Sequence, residues 1–195
     1  MQNLDYIKDE MITHIPLCTH ANPKNILVIG ESSGIKNELE KYKFLDKVEI
    51  IESDISNNLA NIGDNSFDVI IVNDNKIMAD KVFVGLINRV LDEKGIFVTV
   101  ASNIYSDEDK FKDELKSLED KFKVVMPYRY EANCDNVVTM NNLILASKEY
   151  HPTADINLQR ADLTDGFKYY NSDIAVGCFM LPTTIRKKFL GLVKL

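Results

Sequence analysis

The run Phe67-Asp-Val-Ile-Ile-Val72 is apolar on both of its strand faces and bounded by Asn65-Ser66 and Asn73-Asp74. Such a run needs cover on both sides, which a central parallel strand between helical layers receives. Its neighbours in sequence agree. Asn25 to Ile29 is a compact apolar strand closed by Gly30, Lys36 to Tyr42 reads as helix, and Val48 to Ile51 as a second strand. From Asp80 to Leu91, the residues Val82, Phe83, Leu86, Ile87 and Val90 recur at three-and-four spacing, which predicts an amphipathic helix ended by Glu93-Lys-Gly95. Gly95 to Val100 is the next strand, Asp107 to Leu118 another helix, and Phe122 to Met126 and Asn142 to Ala146 the last strands. Strands alternating with helices of this length predict an α/β, doubly wound, mostly parallel sheet. Only about 15 residues separate Ile51 from Phe67, enough for one crossover helix, so the sheet is expected to be short by about one strand-helix unit. No linker marks a boundary. The chain is therefore expected to be one domain over 1–195: a leading helix and loop (1–24), the sheet core (25–150) and a tail (151–195) with a basic terminal helix near Thr184 to Leu192.

Composition narrows the partners. The 195 residues carry a formal charge of −7, so the general attraction to phosphate backbones is missing and no nucleic-acid partner is expected. No apolar run reaches the roughly 18 residues of a membrane span, and no secretory or transit pattern opens the chain, so the expected location is the cytoplasm. Cys18, Cys134 and Cys178 are odd in number and far apart, and read as reduced, mostly buried thiols. His14, His20 and His151 have no helically spaced second ligand, so no metal is expected.

Candidate chemistry clusters where strands end. Gly30-Glu-Ser-Ser-Gly34 follows the first strand, at the carboxyl edge where doubly wound sheets bind ligands; it is either a tight turn or a loop whose backbone approaches a nucleoside. Glu52, ending the second strand, is either a solvated carboxylate or the acceptor of both ribose hydroxyls. Asp54 is placed to meet an adenine amino group or to cap the next helix. Asn73 and Asp74 end the central strand; Asp74 is a candidate for holding an amine and taking its proton, or a turn and cap residue. Neither a nucleophile elbow nor a P-loop is present.

Two longer segments point further. Glu10-Met-Ile-Thr-His14, leading through His20-Ala-Asn-Pro-Lys24 to Gly30, resembles the start of the catalytic domain of spermidine synthases. Lys168-Tyr-Tyr-Asn-Ser-Asp-Ile174, followed by Phe179-Met-Leu-Pro182, resembles that family's C-terminal signature. The resemblance implies a Rossmann-like sheet of the S-adenosylmethionine-dependent transferase type, without the small N-terminal β-domain. It implies transfer of an aminopropyl group from decarboxylated S-adenosylmethionine, as co-substrate and with no tightly bound cofactor, to a diamine such as putrescine. Polyamine and nucleoside ligands and a homodimer are the implied partners. The family's glycine-rich loop falls on Gly30 through Ile35, which makes Gly30, Ser33 and Gly34 binding candidates and puts Ser33 where the family has aspartate. Its ribose carboxylate falls on Glu52. Asp54 matches either of two acidic elements. The first aspartate of its catalytic motif falls on Asn73 and the catalytic one on Lys76, leaving Asp74 as the nearby carboxylate. The tyrosine of its C-terminal signature corresponds to Tyr169 or Tyr170, and a second tyrosine and its polar neighbour, just before the Glu-Met pair, fall on Lys8 and Asp9. An aminopropyltransferase, an inactive relative that keeps nucleoside or polyamine binding, and a methyltransferase of the same fold are the readings carried forward.

Overall fold

The computed structural model describes residues 4–74, 80–134 and 137–195, with side chains omitted at 133 and 134. Helix α1 (Asp5–Thr19) leads into β1 (Asn25–Gly30), α2 (Ser33–Leu39), β2 (Lys47–Ile51), α3 (Ile55–Asn61) and β3 (Phe67–Asn73). Then come α4 (Lys81–Val90), β4 (Leu91–Ala101), α5 (Glu108–Leu118), β5 (Val124–Cys134) and β6 (Val137–Ser147). The tail carries α6 (Leu158–Leu163), α7 (Ser172–Gly177) and α8 (Thr183–Lys188). Six strands form one sheet in the order β2-β1-β3-β4-β6-β5; β1 to β4 are parallel, while β6 runs antiparallel to β4 and β5. The mostly parallel α/β sheet is thus the fold read from the sequence, with α3 as the lone crossover between β2 and β3.

Strand alternation sends Ile26, Val28, Val69 and Ile71 to one face, where they meet Met11 and Ile15 of α1 and Ile35 of α2. Leu27, Ile29, Ile70 and Val72 go to the other, against Leu59 of α3, Phe83 and Ile87 of α4 and Phe111 of α5. β3 is buried on both faces as its composition requires. In α4, Phe83, Val84, Ile87 and Val90 are all buried, each worth about 1.5–3 kcal/mol of transfer free energy.

Four parts of the chain have other boundaries than the sequence reading gives. α2 begins inside the first turn, at Ser33 rather than Lys36, and leaves Tyr42 beyond its end. β4 starts at Leu91 and contains Gly95: Phe67 pairs with Leu91 but Val69 with Ile96, so the chain bulges between them. A Cβ on Gly95 would come 2.5 Å from the Leu91 side chain, so only glycine fits the folded-back bulge. The last strands are a long hairpin, because alternating polar and aromatic residues such as Tyr128, Arg129 and Tyr130 extend one another's ladder well past the apolar cores at 124–126 and 142–146. The terminal helix stops at Lys188, before Gly191 turns at φ +88°.

Candidate active site

The order of the sheet creates a crevice between β1 and β3, whose outgoing connections leave in opposite directions. Gly30 pairs with Asn73 across it. Gly30 has φ +95°, and a Cβ there would lie 3.0 Å from the Asn73 carbonyl oxygen, so its lack of a side chain keeps the two strand ends close. Asn73 Nδ2 donates to the Glu31 carbonyl at 2.8 Å and pins the first turn over β3. Within the turn, the Ser33 amide donates to Glu31 Oε1 at 2.9 Å and the Ser33 hydroxyl to the same oxygen, which holds the Glu31 carboxyl below its usual range. Ser32 Oγ donates to Glu52 Oε1 at 3.0 Å, so Glu52 is oriented toward the turn from the end of β2. Gly30, Ser33, Asn73 and Glu52 are therefore brought together. Asp54 has left-handed φ of 47° and occupies the N-cap position of α3, but its carboxylate accepts from Asn57 Nδ2 at 2.8 Å rather than from a helix amide.

Two adjoining cavities open along this edge. One, of about 510 Å³, is lined by Asn73 at the end of β3 and Asp74 just beyond it, Ser102 just after β4, Lys110 from α5, and Tyr130 and Lys8. The other, of about 410 Å³, is lined by Asp9, Glu31 and Ser33, again with Lys8 and Tyr130. Lys8, in α1, thus stands at their junction. Asp9 lies against the start of α2, where a Cβ on Gly34 would come 1.9 Å from Asp9 Oδ2; burial raises the Asp9 carboxyl, against the opposing pull of Lys8. A further apolar groove of about 450 Å³, between β5 and the C-terminal segment, includes Met126, Phe179 and Leu190, with Arg186 and no acidic side chain, so it does not fit a cationic ligand. Among the described residues no group of three acidic, His or Cys side chains is placed to hold a metal.

The wall of the first cavity is held from behind. Glu114 of α5 is buried and accepts from the Ser102 amide at 2.9 Å and its hydroxyl at 2.7 Å; burial raises its carboxyl. Asn142 Oδ1 accepts from the Ile104 amide at 2.9 Å.

The two tyrosines part company. Tyr169 donates its hydroxyl to Glu131, and burial pushes that hydroxyl above its usual range. Tyr170 is buried on the α1 side of the sheet, with its ring 5.2 Å from that of His14 and its hydroxyl beside Cys18. Neither is among the residues lining the two cavities. Both are held through their backbones: the Glu10 carboxylate accepts from the amides of Lys168 at 2.9 Å and of Tyr169 and Tyr170 at 2.8 Å each. Glu10 and His14 lie on the stripe formed by Ile7, Met11, Ile15 and Cys18. Polar residues on an apolar helix face are a legible sign of buried polar contacts; Glu114, on the face of Phe111, Leu115 and Leu118, carries the same sign, whereas Ser102 has none. Lys76 lies outside the described residues, as does the side chain of Cys134; Cys18 and Cys178 are buried free thiols.

Known proteins resemble this chain over most of its length. Residues 5–57 match the Spermine/spermidine synthase domain. The polyamine aminopropyltransferase of Clostridium beijerinckii is 28% identical over 227 aligned residues, covering 96% of this chain and 79% of that one. The resemblance is to the spermidine synthases. The Methanocaldococcus jannaschii polyamine aminopropyltransferase is also 28% identical, covering 90% of this chain and 73% of the relative. The alignment with the Clostridium protein is longer than this chain's 195 residues, so that relative has internal residues without a counterpart here. Among solved structures, a spermidine synthase in complex with the transition-state analogue AdoDATO superposes with a TM-score of 0.85 at 22% identity, covering 97% of this chain and 76% of that one. The spermidine synthase of Thermotoga maritima gives 0.84 at 23% identity, over the same shares. The spermidine synthase fold is therefore present in this chain. No helix among the described residues is long and apolar enough to cross a membrane.

Proposed function

We propose that the chain transfers an aminopropyl group from decarboxylated S-adenosylmethionine, its co-substrate, to an amine acceptor of the putrescine kind, in polyamine biosynthesis. The observation that carries this reading is the placement of Glu52 and Asp74 at strand ends on either side of the Gly30–Asn73 crevice, with a cavity beside Asp74. Gly30, Ser33, Gly34, Asn73 and Glu52 would seat the nucleoside, with Glu52 accepting from the ribose hydroxyls; Asp54, turned toward Asn57, is the outermost of this group. In the reaction, the lone pair of a neutral amine attacks the methylene carbon next to the sulfonium. A C–N bond forms, the C–S bond breaks, and its electron pair stays on sulfur as the neutral thioether of methylthioadenosine. Asp74 would accept the proton that the new ammonium loses. The reaction needs alignment more than apparatus, because the sulfonium already supplies the leaving group. Tyr169 and Tyr170, held by Glu10, lie outside the two cavity linings and serve in this scheme to anchor the tail to α1.

The test is incubation with decarboxylated S-adenosylmethionine and putrescine, with methylthioadenosine measured as product. Turnover that falls at least about 100-fold in Asp74→Ala supports the reading; no product above background, with putrescine or with any other primary amine offered in its place, overturns it. Ser33, standing where the resemblance expects aspartate, favours a second reading, an inactive relative that retains nucleoside binding. Methylthioadenosine affinity without turnover, weakened in Glu52→Ala, would establish it. S-adenosylhomocysteine formed from S-adenosylmethionine would point instead to methyl transfer. Light scattering tests the homodimer.

A further inference from the structure

Lys8 is a half-buried residue of α1 that lines both cavities of the cleft. Lys110 lines the cavity beside Asp74, on the same wall as Asp107. Lys8 faces Asp9 and Glu31, and Lys110 faces Glu114, through space rather than in close ion pairs. A pocket meant for a plain diamine gains nothing from fixed ammonium groups, since every charge on that ligand repels them. The lining of this cavity carries both signs, Lys8 and Lys110 with Asp74 and Asp107. That is the complement of a zwitterion.

The geometry points to an acceptor that carries a carboxylate as well as its nucleophilic amine: a basic amino acid, with its carboxylate at Lys8 and its amine toward Asp74. This deepens the aminopropyl-transfer reading and rests on it. Lys8 is then a specificity residue, favouring the carboxylated acceptor by a charge-assisted contact and disfavouring the diamine by repulsion. The bond changes are those already given, with the side-chain amine of the amino acid as nucleophile and its carboxylate unchanged.

Calorimetry on the full chain saturated with methylthioadenosine compares ornithine with putrescine, which differ by that carboxylate. Ornithine is expected to bind at least about tenfold more tightly, the worth of one charge-assisted hydrogen bond. Lys8→Gln should reduce the preference to about threefold or less, and Lys8→Glu should invert it. Circular dichroism and retained methylthioadenosine binding show that the variants fold. Equal or tighter binding of putrescine by the unaltered protein, or a preference unmoved by Lys8→Gln, overturns the inference. So does a preference for S-adenosylmethionine over its decarboxylated form that Lys8→Gln abolishes, since the carboxylate then belongs to the donor. Turnover with putrescine alongside indifference to ornithine sinks this inference and leaves aminopropyl transfer standing. Failure to bind methylthioadenosine, either amine and either donor sinks both.

Discussion

The carboxylate of Glu10, in the first helix, accepts a 2.8 Å hydrogen bond from the amide of Tyr170, 160 residues further along the chain. It takes the amides of Tyr169 and Lys168 as well, and Glu10 itself is 1% exposed. The two segments that most resemble spermidine synthases are therefore one structural unit. Glu10→Ala would leave three amides without their acceptor, at a cost of about 3 kcal/mol or more, since bonds to a charged acceptor are worth about 1.5–3 kcal/mol each and are not additive. Glu10→Gln, which keeps one acceptor oxygen, should lose less. Urea unfolding midpoints measure both, and an unchanged midpoint in Glu10→Ala would show that the tail does not depend on this anchor.

Gly30 combines a positive φ with a neighbour too close for a side chain. Gly30→Ala should destabilise by about 2 kcal/mol from backbone strain alone. Because the collision is with the Asn73 carbonyl, it should also splay β1 from β3 and weaken methylthioadenosine binding. Thermal unfolding and calorimetry together check this; a variant as stable as the original would mean that the turn tolerates a Cβ.

Glu52 lies at the exposed end of β2, tethered by Ser32 Oγ, and contributes nothing to either core cluster. Glu52→Ala should leave the unfolding midpoint nearly unchanged while reducing methylthioadenosine affinity by about 10- to 100-fold, the loss expected for hydrogen bonds to a carboxylate. Loss of stability without loss of affinity would make Glu52 a structural residue.

His14 Nε2 donates to Glu38 Oε2 at 2.8 Å, which leaves Nδ1 of the neutral ring to accept from the Tyr42 hydroxyl at 2.7 Å, and burial pushes the ring below the ordinary 6.5. The unfolded chain therefore binds a proton in a range where the folded one does not. Stability from this group is complete above pH 6.5 and is lost as pH falls through the lower folded midpoint. An NMR titration should place the His14 midpoint below 6.5, and His14→Gln should flatten the fall in unfolding free energy on the acid side. A midpoint above 6.5 would mean that the Glu38 pairing outweighs burial.

Much of the sheet was legible because its signals are local. The Val and Ile of β3 need cover on both faces wherever they are put, the stripe of α4 repeats with the helix, and the short connection after Ile51 leaves room for a single helix. The carboxyl-edge residues were legible for the same reason: once β1, β2 and β3 are strands, Gly30, Glu52 and Asn73 must sit at their ends. Less was visible where two distant segments decide a position together. The bulge in β4 comes from register with β3, and the hairpin of β5 and β6 draws its length from pairing rather than from the apolarity of either strand.

The sequence by itself determined the layers, the crevice and the family resemblance, since periodicity and motif spacing are properties of the chain alone. Only the tertiary structure decided which polar groups face the cleft and which are buried beneath it. Tyr169 and Tyr170 are neighbours in sequence, yet one reaches Glu131 and the other packs on His14; Lys8 and Glu10 are two residues apart, yet one lines the cleft and the other is sealed under the tail. Side chains one or two positions apart on a helix or an extended segment point in different directions, and what each direction meets is set by segments more than a hundred residues away in the chain.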